Sequence, residues 1–157
     1  MDLFRKGAFK GKTVFVAGGS TGINLGIAER FGEMGANVAV ISRNEERIAV
    51  AAERVKATGA DAIGVVADVR DFDAVSRAFA ATTEKWGEIN VVISGAAGNF
   101  LSPATGLSAN AFRTVVEIDL LGTFNVLRAS FDHLRKPGAS VISITAGQAK
   151  QIGRAHV

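Results

Sequence analysis

Short apolar runs rich in Val and Ile recur along the chain at residues 13–17, 37–41, 62–67, 89–94 and 140–144. Continuous runs of this length, bounded by polar or glycine positions, are the mark of strands buried on both faces. Between them, apolar residues fall at helical spacing over 23–34, 45–57, 72–86 and 109–134. Strictly alternating strands and helices predict βαβ units, because parallel strands need a crossover of about a dozen residues. Right-handed crossovers then place helices on both faces of one parallel sheet. The boundaries agree with this register. Gly35 and Gly59 follow helical segments as C-terminal caps, and Asp71 and Ser108 precede others as N-caps. The expectation is an α/β, doubly wound parallel sheet of five strands. Its last strand begins at Ser140 of 157 residues, so the fold is expected to be incomplete on its C-terminal side.

Composition narrows the class. With 48% hydrophobic and 21% charged residues, the chain can build one core, and its 18 glycines and 2 prolines do not form low-complexity tracts. Residues 1–149 are expected to form one domain, and 150–157 a tail without pattern. No cysteine is present, which removes disulfides, thiolate nucleophiles and cysteine-ligated metals together. The first dozen residues carry Asp2, Arg5, Lys6, Lys10 and Lys12 and no apolar leader, and no later run reaches the ~20 residues of a membrane span. A cytoplasmic protein with no metal and no membrane contact is the expectation. The net charge of +3 comes from basic residues scattered among acids, so a solvated surface is expected rather than a nucleic-acid face.

The most specific local feature is Val16-Ala17-Gly18-Gly19-Ser20-Thr21-Gly22-Ile23-Asn24, between the first strand and the first helix. Glycines there let the backbone turn sharply and approach a pyrophosphate, while free amides and the positive end of the helix dipole face its charge. Gly18, three residues, then Gly22 is a spacing that resembles the short-chain dehydrogenase/reductase family, with its Rossmann-like fold. Asn24 stands where that family usually has a third glycine. The candidate cradle is Gly18, Ser20, Thr21, Gly22 and Ile23.

Cofactor choice is read at the end of the second strand, Ile41-Ser42-Arg43-Asn44. An NAD site would place a carboxylate there for the ribose 2′-hydroxyl, and none is present. Arg43 offers a planar cationic fork for a 2′-phosphate, which favours NADP(H); the alternative is a solvated arginine at a strand end. Asp68 and Val69, after the third strand, resemble the family's acid and apolar residue that contact the adenine, although Asp68 could equally cap the next helix. Ser94-Gly95-Ala96-Ala97-Gly98-Asn99 resembles the family's turn after the fourth strand, with Ala96 approaching the cofactor.

The catalytic positions depart from the common family pattern. The usual helix asparagine falls on Asp119, the serine after the fifth strand on Ala146, and the sequence has no tyrosine. These departures are similar to the peroxisomal-type 2,4-dienoyl-CoA reductase branch, as are the runs Ala96-Ala97-Gly98-Asn99-Phe100-Leu101-Ser102-Pro103-Ala104 and Ile118-Asp119-Leu120-Leu121-Gly122-Thr123-Phe124-Asn125-Val126. The resemblance implies that NADPH reduces a conjugated dienoyl thioester and that Asp119, through water, supplies the proton. A carboxylate beside Val115, Val116 and Leu120 would be costly if buried without partners, which points the same way; otherwise Asp119 is a half-exposed acid answering an arginine. The branch's lysine is expected beyond residue 157. Lys150 lies too early for it, and Lys150 and His156 read as solvated. Other readings are a 3-oxoacyl ketoreductase of another branch and a cofactor-binding fragment without catalysis. An open fifth strand and exposed Phe124, Leu127 and Phe131 are expected, with a homo-oligomer covering part of that surface.

Overall fold

The structure, a computed structural model, describes residues 5–100 and 102–146. Strands β1 (Thr13–Ala17), β2 (Asn37–Ser42), β3 (Ala62–Val66), β4 (Val91–Ser94) and β5 (Ser140–Ser143) alternate with helices α1 (Gly22–Glu33), α2 (Glu45–Lys56), α3 (Phe72–Trp86) and the pair α4 (Ala109–Val116) and α5 (Gly122–Ser130). All pairings are parallel and the strand order is β3-β2-β1-β4-β5. The order reverses between β1 and β4, which opens a crevice at the carboxyl ends of these two strands.

The period of two along β1 builds a core on each face. Val14 and Val16 face α1 and α2 and pack with Leu25, Ala28, Ile48 and Val55. Phe15 and Ala17 face the other way, toward Val75, Phe79 and Val126 of α3 and α5. Phe15 and Phe79 stack with ring centroids 3.9 Å apart, and both are fully buried. Truncating either ring to Ala is expected to cost about 3–5 kcal/mol, since a cavity would open in the centre of that layer.

Two expectations are corrected in detail. The helix expected over 109–134 is broken: the Gly122 amide donates to the Glu117 carbonyl, five residues back, so residues 117–121 form one π turn between α4 and α5. Residues 131–133 then tighten into a 3-10 turn. The fourth strand is also shorter than its apolar run, because Ile89 instead makes an isolated bridge with Leu134. Among the described residues β5 is an edge strand, as expected. Every residue of β5 is exposed, and Leu120, Phe124, Leu127 and Phe131 stand uncovered by any described element.

Candidate functional site

The crevice begins where β1 ends. The amides of Gly18 and Gly19 both donate to the Ile41 carbonyl, at 3.0 and 3.2 Å, folding the chain back across the end of β2. Gly18 has φ +78°, and a Cβ on it would lie 2.8 Å from the Ala96 backbone, so both conformation and space demand glycine. Gly22 opens α1 with φ +60°. Thr21, the N-cap, makes no side-chain capping bond, and no acid lies in the first turn of α1. The N-termini of α2, α3 and α4 differ. Asn44, Asp71 and Ser108 accept from the amides of Arg47, Ala74 and Ala111 and cap α2, α3 and α4. Among the described residues the first amides of α1 thus have no capping side chain at the mouth of the sheet, an arrangement that favours an anion.

Asn24 resolves what the missing third glycine does. Its Nδ2 donates to the Gly95 carbonyl at 2.7 Å and, more weakly, to the Gly18 carbonyl at 3.4 Å, linking the two loops that border the crevice. The helix keeps its approach because Gly95 lacks a Cβ: one added there would lie 2.6 Å from Asn24 Nδ2. The Asn24 Oδ1 is buried and accepts no hydrogen bond among the described residues.

These loops enclose a cleft of about 310 Å³. Of the expected cofactor residues, Gly18, Ser20, Thr21, Arg43, Asp68, Val69 and Ala96 line it. Gly22 and Ile23 do not, and the Ile23 side chain is 74% exposed, pointing away from the sheet. Arg47 lines the cleft as well, and the sequence reading missed it. The signal was present, since Asn44 caps α2 through the Arg47 amide at 2.8 Å and so fixes Arg47 in the first turn of the helix that follows Arg43.

At the end of β3, Asp68 is not the helix cap; Asp71 takes that role. Asp68 is instead gripped by Arg70, whose Nη2 lies 2.6 Å from Oδ2 and whose Nε lies 3.0 Å from Oδ1. The side-chain hydrogen bond from Arg70 holds the Asp68 carboxyl below the ordinary aspartate value; partial burial opposes this, while the Arg70 amide and the Arg70 and Arg43 charges reinforce it. An ionised acceptor therefore stands on the cleft wall across from Arg43.

Asp119 lies in the π turn. The expectation of costly burial is corrected, because the Asp119 side chain is exposed. Its Oδ1 accepts the Gly98 amide at 2.7 Å, while its Oδ2 makes no hydrogen bond among the described residues. Asp119 does not line the cleft, but its neighbour Ile118 does. Ala146 is the last described residue, and Lys150, His156 and the tail 150–157 lie outside the described residues. Among the described residues no cluster of His, Cys, Asp and Glu could hold a metal, and no helix is long and apolar enough to cross a membrane.

A glycine turn from β1 into an uncapped helix, at the reversal point of a parallel sheet, is matched by comparison with known proteins. The family model described as short chain dehydrogenase matches residues 12–156. The chain belongs to this family. Relatives include the peroxisomal 2,4-dienoyl-CoA reductases of Rattus norvegicus, 42% identical over 92% of the chain, and of Saccharomyces cerevisiae, 40% identical over 91%. The chain spans about half the length of these relatives, 50% in both cases. Among solved structures, a citronellol catabolism dehydrogenase from Pseudomonas aeruginosa superposes with a TM-score of 0.85 at 29% identity, covering 93% of this chain and 60% of that one. A Burkholderia cenocepacia short chain dehydrogenase in complex with NADP gives 0.84 at 25%, covering 92% and 59%. The cytoplasmic expectation is corrected by the relatives, whose names place them in peroxisomes. It rested on the absence of cysteine and of an apolar leader, and neither feature distinguishes cytosol from peroxisome.

Proposed function

We propose that this chain forms the NADP(H)-binding part of an oxidoreductase that reduces a 2,4-dienoyl-CoA thioester, with residues 1–149 as the cofactor-binding domain. One observation carries the cofactor reading. Gly18, Ser20 and Thr21, which lead into the uncapped N-terminus of α1, line the same cleft as Arg43 and Arg47, so one groove brings a glycine-rich turn and two arginines together. A diphosphate suits the first and a 2′-phosphate the second. The cleft's fit to a nucleotide is supported by Gly18 and Gly95, whose missing Cβ atoms let the loops that border it pack closely, and by a volume at the lower end of the range for small-molecule sites.

When bound, NADPH supplies the hydride. The roles of this chain's residues follow from their positions. Gly18, Ser20, Thr21, Gly22 and Ile23 hold the diphosphate with backbone amides; the Ile23 side chain takes no part. Arg43 and Arg47 hold the 2′-phosphate. Asp68 and Val69 form the adenine wall, and Ala96 gives backbone access on the opposite side. Asp119, fixed by Gly98 through one oxygen, keeps the other for the water that passes a proton to the substrate. Its exposure suits this role, because a proton donor refilled from solvent needs a path to it. The relatives named as dienoyl-CoA reductases support the substrate class.

The uncovered face of α5 is proposed as a contact with a second copy. Leu120, Phe124, Leu127 and Phe131 recur at helical spacing, which is the pattern of a helix packed on a partner.

The test of the substrate class is loss of reduced-nicotinamide absorbance on mixing the protein with NADPH and either a 2,4-dienoyl-CoA or a 3-oxoacyl-CoA. Consumption with the dienoyl thioester is expected. Consumption only with the 3-oxoacyl thioester would reassign the substrate. NADPH binding without turnover of either would reduce the chain to a cofactor-binding unit.

A further inference from the structure

The turn that carries Asp68 and Val69 has no strand or helix of its own to hold it. Its backbone is tied elsewhere. The Asn125 Nδ2 donates to the Val69 carbonyl at 2.9 Å and to the Arg70 carbonyl at 3.3 Å, so one amide group satisfies two successive backbone acceptors. Three residues earlier on the same helix, Gly122 makes room for Val69: a Cβ on it would lie 2.6 Å from Val69 Cγ2. On the outer side Arg70 grips Asp68 and reaches within 4.0 Å of Glu117. Glu117, Gly122 and Asn125 all belong to the π turn and α5, the unit that also carries Asp119. Asn125 itself is half-buried and does not line the cleft.

We infer that Asn125 is a positioning residue for the cofactor: its amide hangs the Asp68–Val69 wall on the helix that presents Asp119, and so sets affinity for the adenine half of the ligand. The inference rests on the cofactor reading above. The chemistry is specific. A carboxamide can donate both of its hydrogens to the two carbonyls, whereas an aspartate of the same size presents only acceptors to them. Val69 is 6% exposed, so its carbonyl has little water to turn to when the donor is lost. The wall would then shift relative to Arg43, just beyond β2, and to the amides of α1, which Asn125 does not touch.

The experiment compares Asn125→Ala and Asn125→Asp with the unaltered protein, by calorimetric titration with 2′-phospho-ADP-ribose and with reduced nicotinamide mononucleotide. Asn125→Ala is expected to weaken the adenine-bearing ligand about tenfold, the worth of one hydrogen bond with an otherwise dry acceptor. Asn125→Asp should weaken it further, despite being isosteric. Affinity for the mononucleotide and the preference for NADPH over NADH should not move. Equal binding of 2′-phospho-ADP-ribose by all three proteins overturns the inference, as does an Asn125→Asp protein that binds like the unaltered one. Equal losses for both half-ligands would mark a general structural role and overturn it too. If the variants do not fold, the Asn125 side-chain amide resonances of the unaltered protein are followed while 2′-phospho-ADP-ribose is added. A saturable shift is expected, and an unmoved signal counts against the inference. Failure of the unaltered protein to bind 2′-phospho-ADP-ribose would instead remove the cofactor reading.

Discussion

Asp119 accepts the backbone amide of Gly98 at 2.7 Å, so an acid on the π turn holds the loop that follows β4. The same carboxylate is therefore both the candidate proton donor and the anchor of one side of the crevice. A π turn inside a long helix often marks a functional position, because the added residue re-aims the side chains beside it. Here Asp119 is exposed while its neighbour Ile118 is buried and lines the cleft.

These two roles of Asp119 separate by substitution. Asp119→Ala removes the acceptor, and hydrogen exchange at the Gly98 amide should accelerate about tenfold or more, as expected for loss of one charge-assisted bond. Asp119→Asn keeps a carbonyl oxygen within reach and should retain much of the protection. Turnover should be lost in both, since neither side chain can supply a proton. Retained turnover in Asp119→Asn would remove Asp119 from the chemistry while leaving its anchoring role intact.

Gly95 and Asn24 form a matched pair, testable by a double-mutant cycle in urea unfolding. Gly95→Ala would force the Asn24 side chain from its bond to the Gly95 carbonyl, and a loss of about 1–3 kcal/mol is expected. In an Asn24→Gly background the same substitution meets no side chain and should cost far less. Strict additivity of the two changes would show that the pair is not coupled.

Much of the architecture could be read from the chain, and the reasons are particular. The strand over 13–17 and the caps at Asp71 and Ser108 were legible because each depends on a local pattern of apolar runs or of short polar side chains beside free amides. The break at 117–121 was not. Val115, Ile118 and Leu121 keep helical spacing, and Gly122, which closes the π turn, packs under Val69, a contact 53 positions back along the chain. Within the site, Gly18 and Arg43 announced themselves by type and place. Asn24, Arg70 and Asn125 did not, because what they do is set by partners brought in by the fold, such as Gly95, Asp68 and Val69.

The pairing of Asp68 with Arg70 predicts a direction with pH. Since the folded-state value of Asp68 is depressed, its contribution to stability is complete above the ordinary aspartate value of about 3.9 and is lost as pH falls through the lower native value. Carboxyl carbon NMR should therefore find Asp68 titrating below the ordinary aspartate value. Arg70→Ala should move it up toward the ordinary value and flatten the acid dependence of unfolding. An Asp68 midpoint unchanged by Arg70→Ala would refute the pairing.

Arg43 and Arg47 predict a division of labour in cofactor choice. Arg43→Ala should weaken NADPH by about ten- to a hundredfold, the range for losing a charge-assisted contact, and leave NADH nearly unchanged. Arg47→Ala should produce the same pattern at smaller size, and the double variant should bind the two coenzymes alike. Equal losses for NADPH and NADH in either single variant would show that the arginine does not read the 2′-phosphate.

The central claim is that the amides opening α1 and the two arginines beyond β2 form one groove for a phosphorylated dinucleotide. Calorimetric titration of the folded protein with NADPH and with NADH tests it most directly. Saturable binding of one equivalent, with NADPH clearly tighter, is the predicted result; a folded protein with no affinity for either coenzyme would contradict it.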